Sequence, residues 1–187
     1  MKLRVGSLIE KSRANGPGER FVVWVKGCAL ACPGCFNPKL WASKGGAWIE
    51  TSKLSERINA AADLRGVTIS GGEPMEQPEA VVELLELIDR RLDTVVFTGF
   101  SPNELGRDPR KARLLYRADL VLAGRYDRAL ASDENPWLGS SNKIELALTG
   151  RVRRDEFPSC RVEARIAPDG GLILTGFPPP GLLAALP

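Results

Sequence analysis

The chain has 187 residues, enough for one domain of about 150 residues with an appendage and for a core that needs no disulfides. Hydrophobic residues make up 43% and charged residues 26%, which excludes a largely disordered chain, a collagen-like rod and a coiled coil. Lysine and arginine total 26 against 23 aspartates and glutamates, a net charge of +3, and no block of five like charges offers a tail for nucleic acid.

Leu3 to Arg13 reads as an extended segment, and Asn15-Gly16-Pro17-Gly18 as a turn. Arg20 to Lys26 is a strand rich in β-branched and aromatic residues. Gly27 to Gly46 has no period and holds three cysteines, so it is a long loop, and long loops in small domains are usually functional. Thr51 or Ser52 caps a helix with Leu54, Ile58 and Ala61 on one face. Val67 to Ser70 is a strand running into Gly71-Gly72-Glu73-Pro74. Pro78 then opens a helix that carries Val81, Val82, Leu84, Leu85, Leu87 and Ile88, with Arg90 and Arg91 late in it. Thr94 to Phe97 is a strand ending at Thr98-Gly99-Phe100. Asp108-Pro109 starts a helix running to about Arg117. Asp119 to Ala123 and Ile144 to Leu148 are further strands. Arg161 to Ala167 and Leu172 to Thr175 flank Pro168-Asp169-Gly170-Gly171, a hairpin signal. The Pro178-Pro179-Pro180 segment and the residues to Pro187 form a loosely held tail.

Short apolar strands alternating with helices argue an α/β fold with a parallel sheet. Sites in such folds sit in loops at the carboxyl ends of strands. The cysteine loop, Gly71 to Pro74 and Thr98 to Phe100 are therefore the places to look.

No histidine is present, which removes the Ser-His-Asp and Cys-His constellations and every histidine-containing zinc site. No apolar run approaches the roughly 18 residues of a membrane helix, and the N-terminus has no signal-peptide pattern, so the expected compartment is the cytoplasm with no membrane partner. The chemistry is left to the cysteines, spaced Cys28-x3-Cys32-x2-Cys35. Three thiolates within eight residues select zinc or iron–sulfur. Zinc would need Cys160 or a carboxylate as fourth ligand, making a non-catalytic binding module. A [4Fe–4S] cluster held by three cysteines would leave one iron open.

The three cysteines after an early strand, followed by Gly71-Gly72-Glu73-Pro74 after the next, resemble the radical S-adenosylmethionine (radical SAM) superfamily. Cys32-Pro33-Gly34-Cys35-Phe36-Asn37-Pro38, Trp41, Phe97-Thr98-Gly99-Phe100, Gly124-Arg125-Tyr126-Asp127 and Gly139-Ser140-Ser141-Asn142 narrow the resemblance to the activating proteins of anaerobic ribonucleotide reductase, over roughly residues 5 to 150. The chain departs from that family at Ala29-Leu30-Ala31, where a histidine is frequent, at Ala123, where aspartate is common, and at Lys143, where glutamine is usual.

The resemblance implies a single radical SAM domain. Its core, about residues 1–150, would be an incomplete βα barrel with parallel strands, followed by a C-terminal β-hairpin and proline-rich tail at about 160–187. It implies that Cys28, Cys32 and Cys35 ligate a [4Fe–4S] cluster and that S-adenosyl-L-methionine chelates the fourth iron. Gly71, Gly72 and Glu73 would receive the methionine amino end, Gly34 and Phe36 would flank the adenine, and Thr98 would contact the cofactor, as would Ser140, Ser141 and Asn142. It implies reductive cleavage of S-adenosylmethionine and hydrogen abstraction from a glycine of a large glycyl radical enzyme. A one-electron donor such as flavodoxin or ferredoxin would supply the electron. The departures and the tail leave a second expectation, a radical SAM enzyme acting on another peptide or a small molecule.

Overall fold

The structure is a computed structural model that describes residues 1–132, 137–157, 162–166 and 170–177. Its centre is a seven-stranded sheet in the order β3-β1-β2-β4-β5-β6-β7. The strands are β1 (Lys2–Ser12), β2 (Arg20–Val25), β3 (Ala47–Glu50), β4 (Gly66–Gly71), β5 (Asp93–Thr98), β6 (Leu120–Ala123) and β7 (Ile144–Ala147). β2, β4, β5 and β6 run parallel, while β1, β3 and β7 pair antiparallel. The expected parallel arrangement thus holds for the four central strands only. β1 reaches β2 through the Asn15–Gly18 turn, which is far too short for a parallel crossover.

Helices α1 (Thr51–Ala60), α2 (Pro78–Leu87), α3 (Pro102–Arg107) and α4 (Pro109–Leu115) lie between the strands in sequence. α1, α2 and α4 contribute Leu54, Ile58, Val81, Leu84 and Leu114 to a core with Phe21, Val23, Val25, Val67, Ile69, Val96 and Val121. Alternation along the strands sends the intervening side chains to the other face. There Val95, Leu120 and Leu122 pack with Trp137, Leu138 and Val152, backed by Phe97, Phe157 and Phe177. One sheet face is therefore covered by helices and the other by C-terminal segments.

Three local expectations change, and two short elements are added. Thr51 is not a cap: Glu50 precedes the helix without a side-chain cap, and the Thr51 hydroxyl instead bonds Met1 O (3.1 Å) and Glu83 (2.5 Å). α2 ends at Leu87, so Arg90 and Arg91 lie beyond it, and α4 ends at Leu115, two residues short of Arg117. β3 carries little sequence signal because it is an edge strand with only Ile49 half-buried. α3 is six residues long, and its signal is the Ser101-x-x-Glu104 capping box, in which each side chain bonds the other's backbone.

The hairpin is present as β8 (Val162–Ile166) paired antiparallel with β9 (Leu172–Gly176). Glu163 accepts from Ser12 Oγ (2.5 Å) and Arg13 N (2.9 Å), and Thr175 accepts from Asn15 Nδ2 (2.8 Å), so it docks on the β1 end. Its turn residues 167–169, Cys160 and the tail 178–187 lie outside the described residues. Among the described residues, no helix is long and apolar enough to cross a membrane.

Candidate active site

The carboxyl ends of β2, β4, β5 and β6 meet at one rim, where loops of a parallel α/β sheet collect functional groups. An open cavity of about 130 Å³ lies there. It is lined by Cys28, Cys32, Cys35 and Phe36 from the loop after β2, Gly71, Gly72 and Glu73 after β4, Thr98 and Gly99 after β5, and Gly124 and Tyr126 after β6. Residues as far apart in the chain as Asn15 and Phe177 thus face one space.

Local geometry explains the cysteine spacing. Cys35 N–H donates to Cys32 O at 3.1 Å, closing a four-residue turn with Pro33 second and Gly34 third. Gly34 has φ +79°, the left-handed value that a type II turn demands at that place. The turn brings Cys32 and Cys35 to the cavity together. Cys28 is pinned separately, its N–H on Trp41 O at 3.0 Å. Ala29 N–H donates to Glu76 at 2.6 Å, fastening the cysteine loop to the turn after Glu73. Between the first two cysteines, Ala31 holds φ +42°, a conformation that strains a residue with a Cβ.

Glu73 is the hub of the opposite wall. Only 1% of it is exposed. Its Oε1 accepts from Met75 N–H and Thr98 Oγ1 (both 2.8 Å), and its Oε2 from Gly99 N–H at 2.7 Å. Burial pushes its carboxyl up to about 7, against the pull of those three donors. A carboxylate offers about four lone-pair sites, so roughly one remains for any ligand.

Gly71 and Gly72 serve the protein's own packing. A Cβ on Gly72 would lie 2.2 Å from Gly27 O, and one on Gly71, at φ +109°, would lie 2.6 Å from Val25 N. The close approach lets Gly72 N–H reach Val25 O and Glu73 N–H reach Gly27 O, both at 2.8 Å, which ties the glycine loop to the cysteine loop. Gln77 adds to the tie by bridging Arg4 and Lys26 O at 3.2 Å.

Phe36, 36% exposed, packs its ring 5.4 Å from that of Tyr126. Sequence reasoning gave Tyr126 no role; its signal was the aromatic after Gly124-Arg125. Ser140, Ser141 and Asn142 do not line the cavity. Ser140 is fully buried and accepts from Asp127 N, while Asn142 holds Arg125 O. Both brace the loop after β6. Lys143, noted only as a departure, does line the cavity.

The thiols fit an iron–sulfur cluster by the chemistry of the donor set. All three are free, partly exposed and on one wall. Backbone N–H groups point at sulfur: Asn37 N–H lies 3.4 Å from Cys35 Sγ, and those of Leu30 and Ala31 favour the Cys28 thiolate while its burial pushes the thiol up. Among the described residues, no three His, Cys, Asp or Glu side chains crowd round a single point as the ligands of one ion do.

A 4Fe-4S single cluster domain model matches residues 14–145. The chain is 33% identical over 140 residues to the anaerobic ribonucleoside-triphosphate reductase-activating protein of Haemophilus influenzae, covering 70% of this chain and 88% of that one. It is 30% identical over 140 residues to the protein of the same name from Escherichia coli K12 (70% and 89%), and 26% identical over 136 residues to that of Enterobacteria phage T4 (69% and 84%). The chain belongs to the family of anaerobic ribonucleoside-triphosphate reductase-activating proteins, with a 4Fe-4S single cluster domain.

Proposed function

We propose that this chain is a radical SAM activase that installs a glycyl radical on an anaerobic ribonucleotide reductase. The observation that carries the reading is the convergence of three cysteines and the Gly71-Gly72-Glu73 loop on one cavity. Helices on one sheet face only, with the site on the other, suit an incomplete βα barrel forming one domain with its hairpin.

A [4Fe–4S] cluster held there would supply the one electron needed to cleave S-adenosylmethionine to methionine and a 5′-deoxyadenosyl radical, which would take a hydrogen atom from a partner's glycine. The chain's residues then have these roles. Cys28, Cys32 and Cys35 would hold the cluster and would leave one iron to the amino acid end of S-adenosylmethionine. The backbone at Gly71 and Gly72 and the remaining lone pair of Glu73 receive its ammonium, a charge-assisted pairing. Thr98 acts through Glu73, which it orients. Phe36, with Tyr126 behind it, offers an apolar face to the adenine beside Gly34. No side chain needs to move a proton, consistent with a chain that has no histidine. The relatives' names, reductase-activating proteins, support a ribonucleotide reductase as the partner, and the open cavity suits a protein loop as substrate.

The test is anaerobic mixing of the reconstituted, reduced protein with S-adenosylmethionine and a reductase from the same genome. The reading expects a glycyl radical doublet in electron paramagnetic resonance and one 5′-deoxyadenosine per radical. Cleavage stimulated by a small molecule or peptide, with no doublet on the reductase, would replace the partner assignment with the other substrate class.

A further inference from the structure

Lys143 is the one lysine or arginine lining the cavity among the described residues. It directly precedes β7, and its main chain lies against β6's exit: a Cβ on Gly124 would sit 3.3 Å from Lys143 Cα. Its side chain is half-buried and makes no hydrogen bond or ion pair with a described residue. The neighbouring charges are already committed. Arg125 grips Glu104 through two contacts of 2.8 Å. Glu73 already accepts from three donors, which take up most of its capacity. Asp127 accepts from Ala129 N–H at 2.9 Å.

A half-buried ammonium without a counter-ion is costly. The negative groups facing it are Cys32 and Cys35 and, after them, Glu73, whose charges oppose the effect of its burial; of these, the two cysteines are the cluster ligands. A [4Fe–4S]²⁺ core on three thiolates carries a net charge of −1, and gaining one electron makes it −2. A fixed cation beside the cluster stabilises the second state more than the first, and net charge near a cluster sets its potential.

We infer that Lys143 is a positioning residue for electron entry: its ammonium is the counter-charge of the cysteine-bound cluster and makes that cluster easier to reduce. The inference rests on the cluster assignment above. It adds the residue by which this chain tunes the step.

The test is a redox titration of the reconstituted full-length protein, without S-adenosylmethionine, followed by electron paramagnetic resonance. Wild type, Lys143→Gln and Lys143→Arg are compared. Lys143→Gln should lower the equilibrium constant for reduction about tenfold, equivalent to about 59 mV for a one-electron couple. Lys143→Arg, which keeps the charge, should stay within threefold of wild type. Iron content should match in all three, and the thermal midpoint of the unloaded protein should not fall in Lys143→Gln. A potential unchanged in Lys143→Gln overturns the inference while leaving the cluster assignment intact. A wild type that binds no iron overturns the cluster assignment, and the inference falls with it.

Discussion

Thr98 donates its hydroxyl to Glu73 Oε1 at 2.8 Å and accepts from Phe100 N–H at 3.1 Å, so one side chain fastens the end of β5 to the glycine loop after β4. Removing that donor leaves a buried carboxylate with two partners in place of three. Thr98→Val should lower unfolding free energy by about 1–3 kcal/mol, with Thr98→Ser close to wild type in denaturant titration. S-adenosylmethionine affinity of the reconstituted protein should fall in Thr98→Val while its iron content is unchanged. Equal affinity in both variants would remove Thr98 from the cofactor wall.

The buried carboxyl of Glu73 also predicts a pH dependence. Its folded pKa, about 7, lies above the ordinary value of 4.5. Between these values the folded state binds more protons than the unfolded state, so stability falls as pH rises. The contribution is fully present below about pH 4.5 and is lost as pH passes about 7. At a shift of that size it amounts to about 3 kcal/mol at most. Unfolding of the unloaded protein should show this decline, and Glu73→Gln should flatten it. Gln supplies an oxygen for Met75 and Thr98 but presents an N–H₂ to the Gly99 N–H, so it should also lose stability below pH 5. Parallel profiles for the two proteins would contradict the burial argument.

Far from the cavity, Arg20 lies fully buried at the start of β2 and Asp93 at the start of β5, 2.6 Å apart. Arg20 also bonds Thr68 Oγ1, Pro17 O and Val67 O, while burial pulls its own pKa down. Arg20→Met strands Asp93 with Arg65 as its remaining ionic partner, at 3.0 Å. Breaking a buried pair on one side costs about 3–5 kcal/mol. Arg20→Met should lose that much, and adding Asp93→Asn should restore part of it. An unchanged midpoint in Arg20→Met would show that the pair contributes nothing.

Two glycines predict opposite signs. Gly72→Ala drives a Cβ into Gly27 O, a backbone atom that cannot give way without moving the cysteine loop. It should reduce iron loading and stability together. Gly106, inside α3, has nothing within 4 Å of its added Cβ and no left-handed φ. Gly106→Ala should stabilise by about 0.4–1 kcal/mol and leave iron loading alone. A stable, fully loaded Gly72→Ala would contradict the packing role assigned to that glycine.

The central strands and the three site loops were legible because their signals are local. The Val-rich runs stop at turn residues, and the cysteines and Gly71-Gly72-Glu73 sit in the loops that follow. Orientation of β1 and β7 was not legible, since strand direction depends on connections and not on composition. β3 lacked an alternating pattern because it faces solvent. Glu73 shows the limit most clearly. The resemblance assigns its carboxylate to a ligand's ammonium, whereas three protein donors fill most of its capacity. Lys143 lies 108 residues from the last cysteine of the loop, and only the fold brings it to the same cavity.

The measurement that bears most directly on the account is electron paramagnetic resonance of the protein reconstituted anaerobically with iron and sulfide, reduced, and recorded before and after adding S-adenosylmethionine. The account predicts a [4Fe–4S] signal that shifts on addition, and loss of the signal in Cys28→Ala, Cys32→Ala and Cys35→Ala. A protein that takes up no iron and holds one zinc, released by Cys160→Ser, would contradict it and leave a metal-binding module in its place.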